Sequence, residues 1–235
     1  MKITIVTINY NNLCGLKETV QSVLTQNDYN LIEYIIIDGG STDGSKDYLE
    51  TLPNTIKWIS EKDNGISDAF NKGIQLSTGD TVLFLNSGDC FIHDMVISRV
   101  VKDWVDSPVD ILSYKVRVSK TVFIPNTDNQ DEIYNSCTEP HQGTFVSKKM
   151  YQILGGYSEE YKIRMDYHFF ARCKSFGASF KYINEQIVKY EEGGVSMKKE
   201  NRIRFWKEGM AVKLKYSLKV GLKDLVKFVV YCKPF

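Results

Sequence analysis

Tyr34-Ile35-Ile36-Ile37-Asp38-Gly39-Gly40-Ser41-Thr42-Asp43-Gly44-Ser45 is an apolar run that stops on a carboxylate, crosses two glycines and reopens with helix-capping residues. A short unbroken apolar run bounded by turn signals predicts a strand buried on both faces, as in a parallel sheet. The glycines supply a turn with φ > 0, and Ser41 or Thr42 can cap the helix expected near Ser45 to Leu52. That turn chemistry leaves Asp38 over. A carboxylate ending an apolar strand costs solvation energy unless something binds it, and the imide N–H of a nucleobase would suit. The Gly-x-Gly-x-x-Gly spacing of a dinucleotide fold is absent near the first strand.

Outward from this strand the pattern repeats. Ile3 to Ile8 reads as a buried strand, and Leu16, Val20, Val23 and Leu24 mark the helix after it. Ile56 to Ser60 is a third strand, with Ile66, Phe70 and Ile74 as the helix stripe that follows. Thr81 to Leu85 is a fourth, followed by a helix near Met95 to Trp104. Four strand–helix alternations imply right-handed crossovers and a mostly parallel α/β sheet. Ligands of such sheets bind beyond the carboxyl ends of the strands. That edge holds Thr7–Asn12, Asp38–Asp43, Glu61–Asp68 and Asn86–Asp89, which are rich in Asp, Asn and Gly.

The second half reads differently. Val109 to Val118 and Lys120 to Pro125 are expected as tightly joined strands, and Asn126 to Pro140 as a polar, turn-rich stretch. Lys148 to Leu154 and Asp166 to Phe176 should be helices; Ser179 to Tyr182 and Gln186 to Tyr190 should be two short strands. From Lys198 onward there are 11 Lys or Arg against 3 Asp or Glu, a net +8, whereas the preceding residues carry −7. We therefore divide the chain into a catalytic domain at 1–197, with halves at 1–107 and 108–197, and a basic helical tail at 198–235. Lys215, Lys219, Lys223 and Lys227 recur every four residues beside Leu214, Leu218, Leu222, Leu225 and Val229. A cationic stripe next to an aliphatic arc is suited to an anionic membrane surface. Packing of that arc on the domain is the bland alternative. Nucleic acid is not expected as a partner, because no aromatic stacking platform accompanies the charge.

Five scattered cysteines without metal spacing, no apolar leader and no spanning run point to a cytoplasmic protein with free thiols, whose expected membrane contact is peripheral, on the inner face of the plasma membrane. The segment Asp63-Asn64-Gly65-Ile66-Ser67-Asp68-Ala69-Phe70-Asn71-Lys72-Gly73 places Asp68, Asn71 and Lys72 on a helix face beside its apolar stripe. A solvated Asp68–Lys72 pair would explain that face in isolation; its start at the crevice favours a ligand. Asn86-Ser87-Gly88-Asp89 closes the fourth strand, where one carboxylate can hold a hard divalent ion or simply shape an Asx turn.

Taken together these segments resemble the family-2 glycosyltransferases with the nucleotide-diphospho-sugar transferase (GT-A) fold, closest to bacterial capsule, exopolysaccharide and O-antigen enzymes. Thr7-Ile8-Asn9-Tyr10-Asn11, Asp38–Gly44, Asp63–Gly73, Asn86–Asp89, Pro140-His141-Gln142-Gly143-Thr144-Phe145, Arg164-Met165-Asp166-Tyr167 and Gly193-Gly194-Val195-Ser196 follow the family's order over about residues 3 to 197. The resemblance implies inverting transfer of a sugar from a nucleotide-sugar donor, uridine being the expected base, to a glycan or lipid-linked glycan. It implies that Thr7, Asn9, Tyr10 and Asp38 meet the nucleoside, and that Asp63, Asn64, Asp68, Asn71, Lys72, Ser87 and Gly88 meet the rest of the donor. Asp89 would hold Mg²⁺ or Mn²⁺, Asp166 would act as base, and His141 and Gln142 would line the acceptor side. Two departures stand out. Asn86 and Gly88 occupy positions where relatives carry acids, and His168 follows Asp166-Tyr167 where many have another acid. The alternatives are a sugar-phosphate nucleotidylyltransferase, whose basic Gly-rich phosphate loop is missing after the first strand, and a non-catalytic sugar-nucleotide-binding module.

Overall fold

A computed structural model of the protein describes residues 1–118, 121–125, 133, 137–190, 194 and 198–216. The parallel half is built from β1 (Ile3–Asn9), α1 (Leu13–Leu24), β2 (Ile32–Asp38), α2 (Ser45–Glu50), β3 (Lys57–Ser60), α3 (Ile66–Leu76) and β4 (Thr81–Phe84). Next come β5 (Cys90–Phe91), α4 (Val96–Asp106), β6 (Ile111–Val118), β7 (Thr121–Phe123) and β8 (Thr144–Ser147). The chain continues through α5 (Lys148–Leu154), α6 (Met165–Phe176), β9 (Phe180–Tyr190) and α7 (Arg202–Tyr216). One mixed sheet has the order β3-β2-β1-β4-β8-β6-β9-β5, with β7 paired to β6. Strands β3, β2, β1 and β4 are parallel, and β8 joins β4 antiparallel.

Alternation along β1 and β2 divides the core between the two faces of this sheet. Val6, Ile35 and Ile37 pack with Phe70 and Ile74 of α3 and with Phe169 and Phe170 of α6. Ile3, Ile5 and Ile36 pack with Leu16 and Val20 of α1 and Val96 and Val100 of α4. Helix α3 lies close on the sheet: a Cβ at Gly73 would come within 2.4 Å of Val6 Cγ1, so only glycine permits the approach. Phe70 then stacks on Phe84 with ring centroids 3.8 Å apart, and Tyr157 stands edge-on to both.

Three details differ from the sequence reading. The two short strands expected after 179 are one strand, β9, running beside β6 in parallel with register shifts on both sides of Lys115. Tyr114 pairs with Ile183 and Lys115 with Gln186, so the polar Asn184 and Glu185 are absorbed as a bulge rather than a turn. Strand β5 is two residues long, too short for any periodicity to reveal. The expected boundary at 197/198 has α7 on its far side, yet Val212 of α7 is fully buried in the core cluster shared with α6. Leu214, the first residue of the aliphatic arc, is 59 % exposed and so lies off that buried face. Lys219, Lys223 and Lys227, with Leu218, Leu222, Leu225 and Val229, lie outside the described residues, as do Gly193, Val195 and Ser196 and most of 126–136. Among the described residues no helix is long and apolar enough to cross a membrane, and Cys14, Cys90, Cys137 and Cys173 are free thiols.

Candidate active site

Parallel register sets three polar residues abreast at the carboxyl edge: Asn9 lies opposite Asp38, and Asp38 opposite Ser60. Asn9 Nδ2 donates to Asp38 Oδ1 at 2.7 Å and Ser60 Oγ to Asp38 Oδ2 at 2.7 Å. Ser41 adds its hydroxyl to Oδ1 at 2.6 Å and its amide to Oδ2 at 3.0 Å. Asp38 is fully buried, and all four of its acceptor positions are used. Burial raises its pKa, but the hydrogen bonds from Ser41, Ser60 and Asn9 outweigh that and hold it below the usual carboxylate value. In this arrangement Asp38 has no acceptor left for a nucleobase N–H. It ties loops together instead.

The tie extends further. Asn9 Oδ1 accepts from Ser87 Oγ at 2.8 Å, Ser41 Oγ accepts from the Asn11 amide at 2.8 Å, and Asn11 Oδ1 accepts from the Thr42 amide at 2.8 Å. Asn11 has φ of 49°, the left-handed conformation that Asn tolerates better than other side chains. The loops after β1, β2 and β4 thus form one hydrogen-bonded rim. Thr7 stands behind it, fully buried, with its hydroxyl on the Leu85 carbonyl at 2.7 Å and 3.0 Å from the Tyr34 hydroxyl, so it supports the sheet rather than facing the crevice. Gly88 likewise gives its amide to Thr19 Oγ1.

Other side chains do face the crevice. Tyr10 is 68 % exposed. A Cβ at Gly39 would lie 2.5 Å from Asp63 Oδ2 and 3.3 Å from Tyr10 Cδ2, so the ring and the carboxylate flank a bare glycine. Asp63 Oδ1 accepts the Gly65 amide, which leaves Oδ2 over Gly39. On α3, Asp68 accepts the Asn64 amide at 2.9 Å, and Lys72 reaches Glu61 at 2.7 Å and Asp68 at 3.5 Å. Asn71 turns away: its two amide ends bond the Tyr157 carbonyl and amide at 2.9 and 2.7 Å, so it fastens α3 to the segment before α6. Asn71, expected to meet the donor, thus engages both ends of its amide with Tyr157.

Asp166, in the first turn of α6, is 21 % exposed at its side chain and lies 3.5 Å from His141 Nδ1. His141 Nε2 is in turn 3.2 Å from Asn86 Nδ2. A hydrogen on Nδ1 serves both neighbours, pointing at Asp166 while Nε2 accepts from Asn86. His141, expected on the acceptor side, therefore bridges Asp166 to the end of β4; Gln142 follows it in the same half-buried turn. Burial raises the Asp166 pKa, yet His141, Arg164 and the Tyr167 amide hold it below the ordinary value, so the carboxylate is ionised at neutral pH. Glu139, buried beside this turn, is pushed up to about 7 by burial despite hydrogen bonds from Ser113 and Thr138. Glu139 went unnoticed in the sequence, and Asn86 was noted there only as part of the Asn86–Asp89 segment, with no role of its own. Asn86 carried one usable signal, its place directly after the fourth strand.

The model for glycosyl transferase family 2 matches residues 4–184. The chain belongs to that family. An uncharacterized glycosyltransferase of Mycobacterium tuberculosis (strain ATCC 25618 / H37Rv) is 31 % identical over 194 residues, covering 73 % of this chain and 68 % of the relative. A PGL/p-HBAD biosynthesis glycosyltransferase of Mycobacterium bovis (strain BCG / Pasteur 1173P2) is 28 % identical over 172 residues, covering 70 % and 67 %. Among solved structures, S. aureus TarS 1-349 in complex with UDP-GlcNAc superposes with TM-score 0.72 at 16 % identity over 97 % of this chain and 72 % of that one. The mannosyltransferase PcManGT from Pyrobaculum calidifontis, in complex with GDP-Man and Mn²⁺, gives 0.69 at 16 % over 98 % and 68 %. The GT-A fold follows from these likenesses, and the family makes this chain a glycosyltransferase rather than a nucleotidylyltransferase.

A GT-A relative with Mn²⁺ raises the question of whether these residues suit an ion. Among the described residues no three His, Cys, Asp or Glu side chains are grouped to hold one. Asp89 is 5 % exposed; its amide bonds the Asn86 carbonyl at 2.8 Å and its Oδ2 accepts the Asn86 amide at 3.2 Å, so the turn is closed by Asp89 reaching back three residues rather than by the expected Asx turn. Asn86 Oδ1 is buried with no hydrogen-bond partner, an uncompensated oxygen of the hard kind that Mg²⁺ and Mn²⁺ take. Asp89 and Asn86 Oδ1 fit an ion that draws its remaining ligands from a diphosphate and water, not one caged by protein alone.

Proposed function

We propose that this family-2 enzyme moves one sugar, with inversion, from a nucleotide-diphospho-sugar to a hydroxyl of a glycan or lipid-linked oligosaccharide in bacterial surface polysaccharide synthesis. The observation that carries the proposal is the Asp166–His141–Asn86 string, which joins a carboxylate to the strand end where a diphosphate would sit. The nucleoside lies between Tyr10 and Asp63 over Gly39; the base stacks on the exposed ring, and Asp63 Oδ2 accepts from the base or ribose. Lys72 and Asp68 border the donor on α3. Uridine is our expected base, supported by the UDP-GlcNAc bound to the structurally similar TarS.

The chemistry is a single displacement. The acceptor oxygen bonds the anomeric carbon as the bond from that carbon to the diphosphate oxygen breaks, the electron pair leaving with the diphosphate. Asp166 takes the hydroxyl proton, and His141 holds the carboxylate in line. A divalent ion on Asp89 and Asn86 would supply charge stabilisation of the departing diphosphate when bound. We place the enzyme on the cytoplasmic face of the membrane, with the exposed Leu214 and the lysines from Lys215 onward toward anionic lipid. Binding is tested by thermal shift against UDP-, GDP- and dTDP-sugars with Mn²⁺ or Mg²⁺. A true donor at a hundredfold excess over Kd adds about 2.7 kcal/mol of stability. Asp63→Ala should abolish that shift while folding normally. No shift with any nucleotide-sugar would overturn the proposal.

A further inference from the structure

The basic tail opens with a helix that reaches back to the base. Glu208, in the middle of α7, accepts hydrogen bonds from three consecutive backbone amides: Lys162 at 3.0 Å on Oε1, and Ile163 at 2.8 Å and Arg164 at 2.9 Å on Oε2. These amides belong to the segment that enters α6, whose N-cap is Arg164 and whose second residue is Asp166. Arg164 makes no side-chain cap there. Its guanidinium is wedged between Phe205 of α7, 4.3 Å from the ring centroid, and Tyr167 of α6, at 4.7 Å. Further along, the fully buried Val212 and a 3.2 Å contact between the Tyr216 hydroxyl and His168 Nε2 keep α7 on α6. Three successive backbone donors shortly before the base, those of residues 162–164, are therefore held by a residue that lies 42 positions after Asp166 in the sequence.

We propose that Glu208 is a positioning residue for Asp166, so that α7 is a working part of the active site rather than an appendage to it. The proposal rests on Asp166 being the base. A carboxylate on three amides makes charge-assisted bonds that fix the backbone at 162–164. The Asp166 carboxylate leaves α6 two residues later, with its own Oδ1 on the Tyr167 amide at 2.6 Å. Freeing that backbone lets the base drift from the acceptor oxygen, and a displacement of about 1 Å is enough to cost on the order of a hundredfold in rate. The nucleoside and diphosphate contacts lie on other loops and should not notice.

The test uses the full chain with Glu208→Ala and Glu208→Gln, read by amide hydrogen exchange at 162–167 and by release of nucleoside diphosphate from the donor that shifts the melting curve. Glu208→Ala should expose the 162–164 amides to exchange and lower kcat by about ten- to a hundredfold at unchanged donor KM and unchanged UDP affinity. Glu208→Gln keeps one acceptor oxygen, enough for the two amides that share Oε2, so its kcat should fall between the two. If Glu208→Ala fails to fold, the glutamine variant decides alone. Faster exchange with kcat unchanged, unchanged exchange, or a loss confined to donor KM overturns the proposal. Asp166→Asn separates the two levels: normal turnover in that variant removes the base assignment itself. Impaired Asp166→Asn beside normal Glu208→Ala removes only the role of the tail.

Discussion

Replacing Asp38 by alanine should cost stability first and nucleotide affinity second. The carboxylate is fully buried and accepts four hydrogen bonds from three residues, Asn9 and Ser60 at strand ends and Ser41 in the loop after β2. In Asp38→Ala the Ser60 hydroxyl can rotate to another partner, and Asn9 Nδ2 keeps its 3.2 Å contact with Ser41 Oγ. The Ser41 amide keeps nothing, and the Ser41 hydroxyl loses its only charged acceptor. A buried donor left unsatisfied costs about 1–3 kcal/mol, so the sum is about 2–5 kcal/mol. For a chain of this length that lowers Tm by about 5–15 °C. Asparagine should do little better. Whichever end of its amide carries the NH₂ meets an existing N–H, from Asn9 on one side or Ser41 on the other. Urea titration and scanning calorimetry on both variants, with UDP titration alongside, give the numbers. Asp38→Ala and Asp38→Asn melting within 2 °C of the parent while losing UDP outright would refute the reasoning, because Asp38 would then be a ligand contact and not a tie.

Three further perturbations follow from the same geometry. His141→Ala should lower kcat by about tenfold or more, and its activity should fail at a higher pH than the parent's on the acid side, because His141 is among the groups that hold the Asp166 pKa down; an unmoved acid limb in the pH–rate profile contradicts this. Glu139 has a folded pKa near 7 against an ordinary 4.5, so the folded state binds the extra proton. Its contribution is therefore fully present below about pH 4.5 and lost as pH rises through 7, by at most about 3 kcal/mol. Glu139→Gln should accordingly gain on the parent between pH 5 and 8 in parallel melts, and equal slopes would count against it. Flotation with anionic vesicles at low salt should carry the full chain upward and leave protein ending at Tyr216 behind; both remaining at the bottom would end the membrane proposal.

The parallel half was legible because its signals are local. Apolar runs stopping on Asp38, and on Asn9 and Asn86 one or two residues later, mark where strands meet the crevice, and α3 follows its Ile66–Phe70–Ile74 stripe. The site was legible by position and less so by role. Asp38, Thr7 and Asn71 all belong to the segments that line the crevice, yet each spends its polar atoms on neighbouring parts of the chain, and only the three-dimensional partners reveal that. Asn71 sits one residue before Lys72 on the same helix, and the 100° between them separates a fastening from a crevice-side charge. Glu208 left no trace at all. Its partners are 44 to 46 residues away, and a glutamate in a lysine-rich helix reads as an ordinary solvated charge. Glu139 is similar, since nothing around Thr138-Glu139-Pro140 announces burial.

Asp166→Asn bears most directly on the whole account. With a donor identified by thermal shift, calorimetry should find its affinity within about twofold of the parent's, while transfer to the acceptor falls at least about a hundredfold. Turnover close to the parent's in a folded, donor-binding Asp166→Asn would contradict the account at its centre.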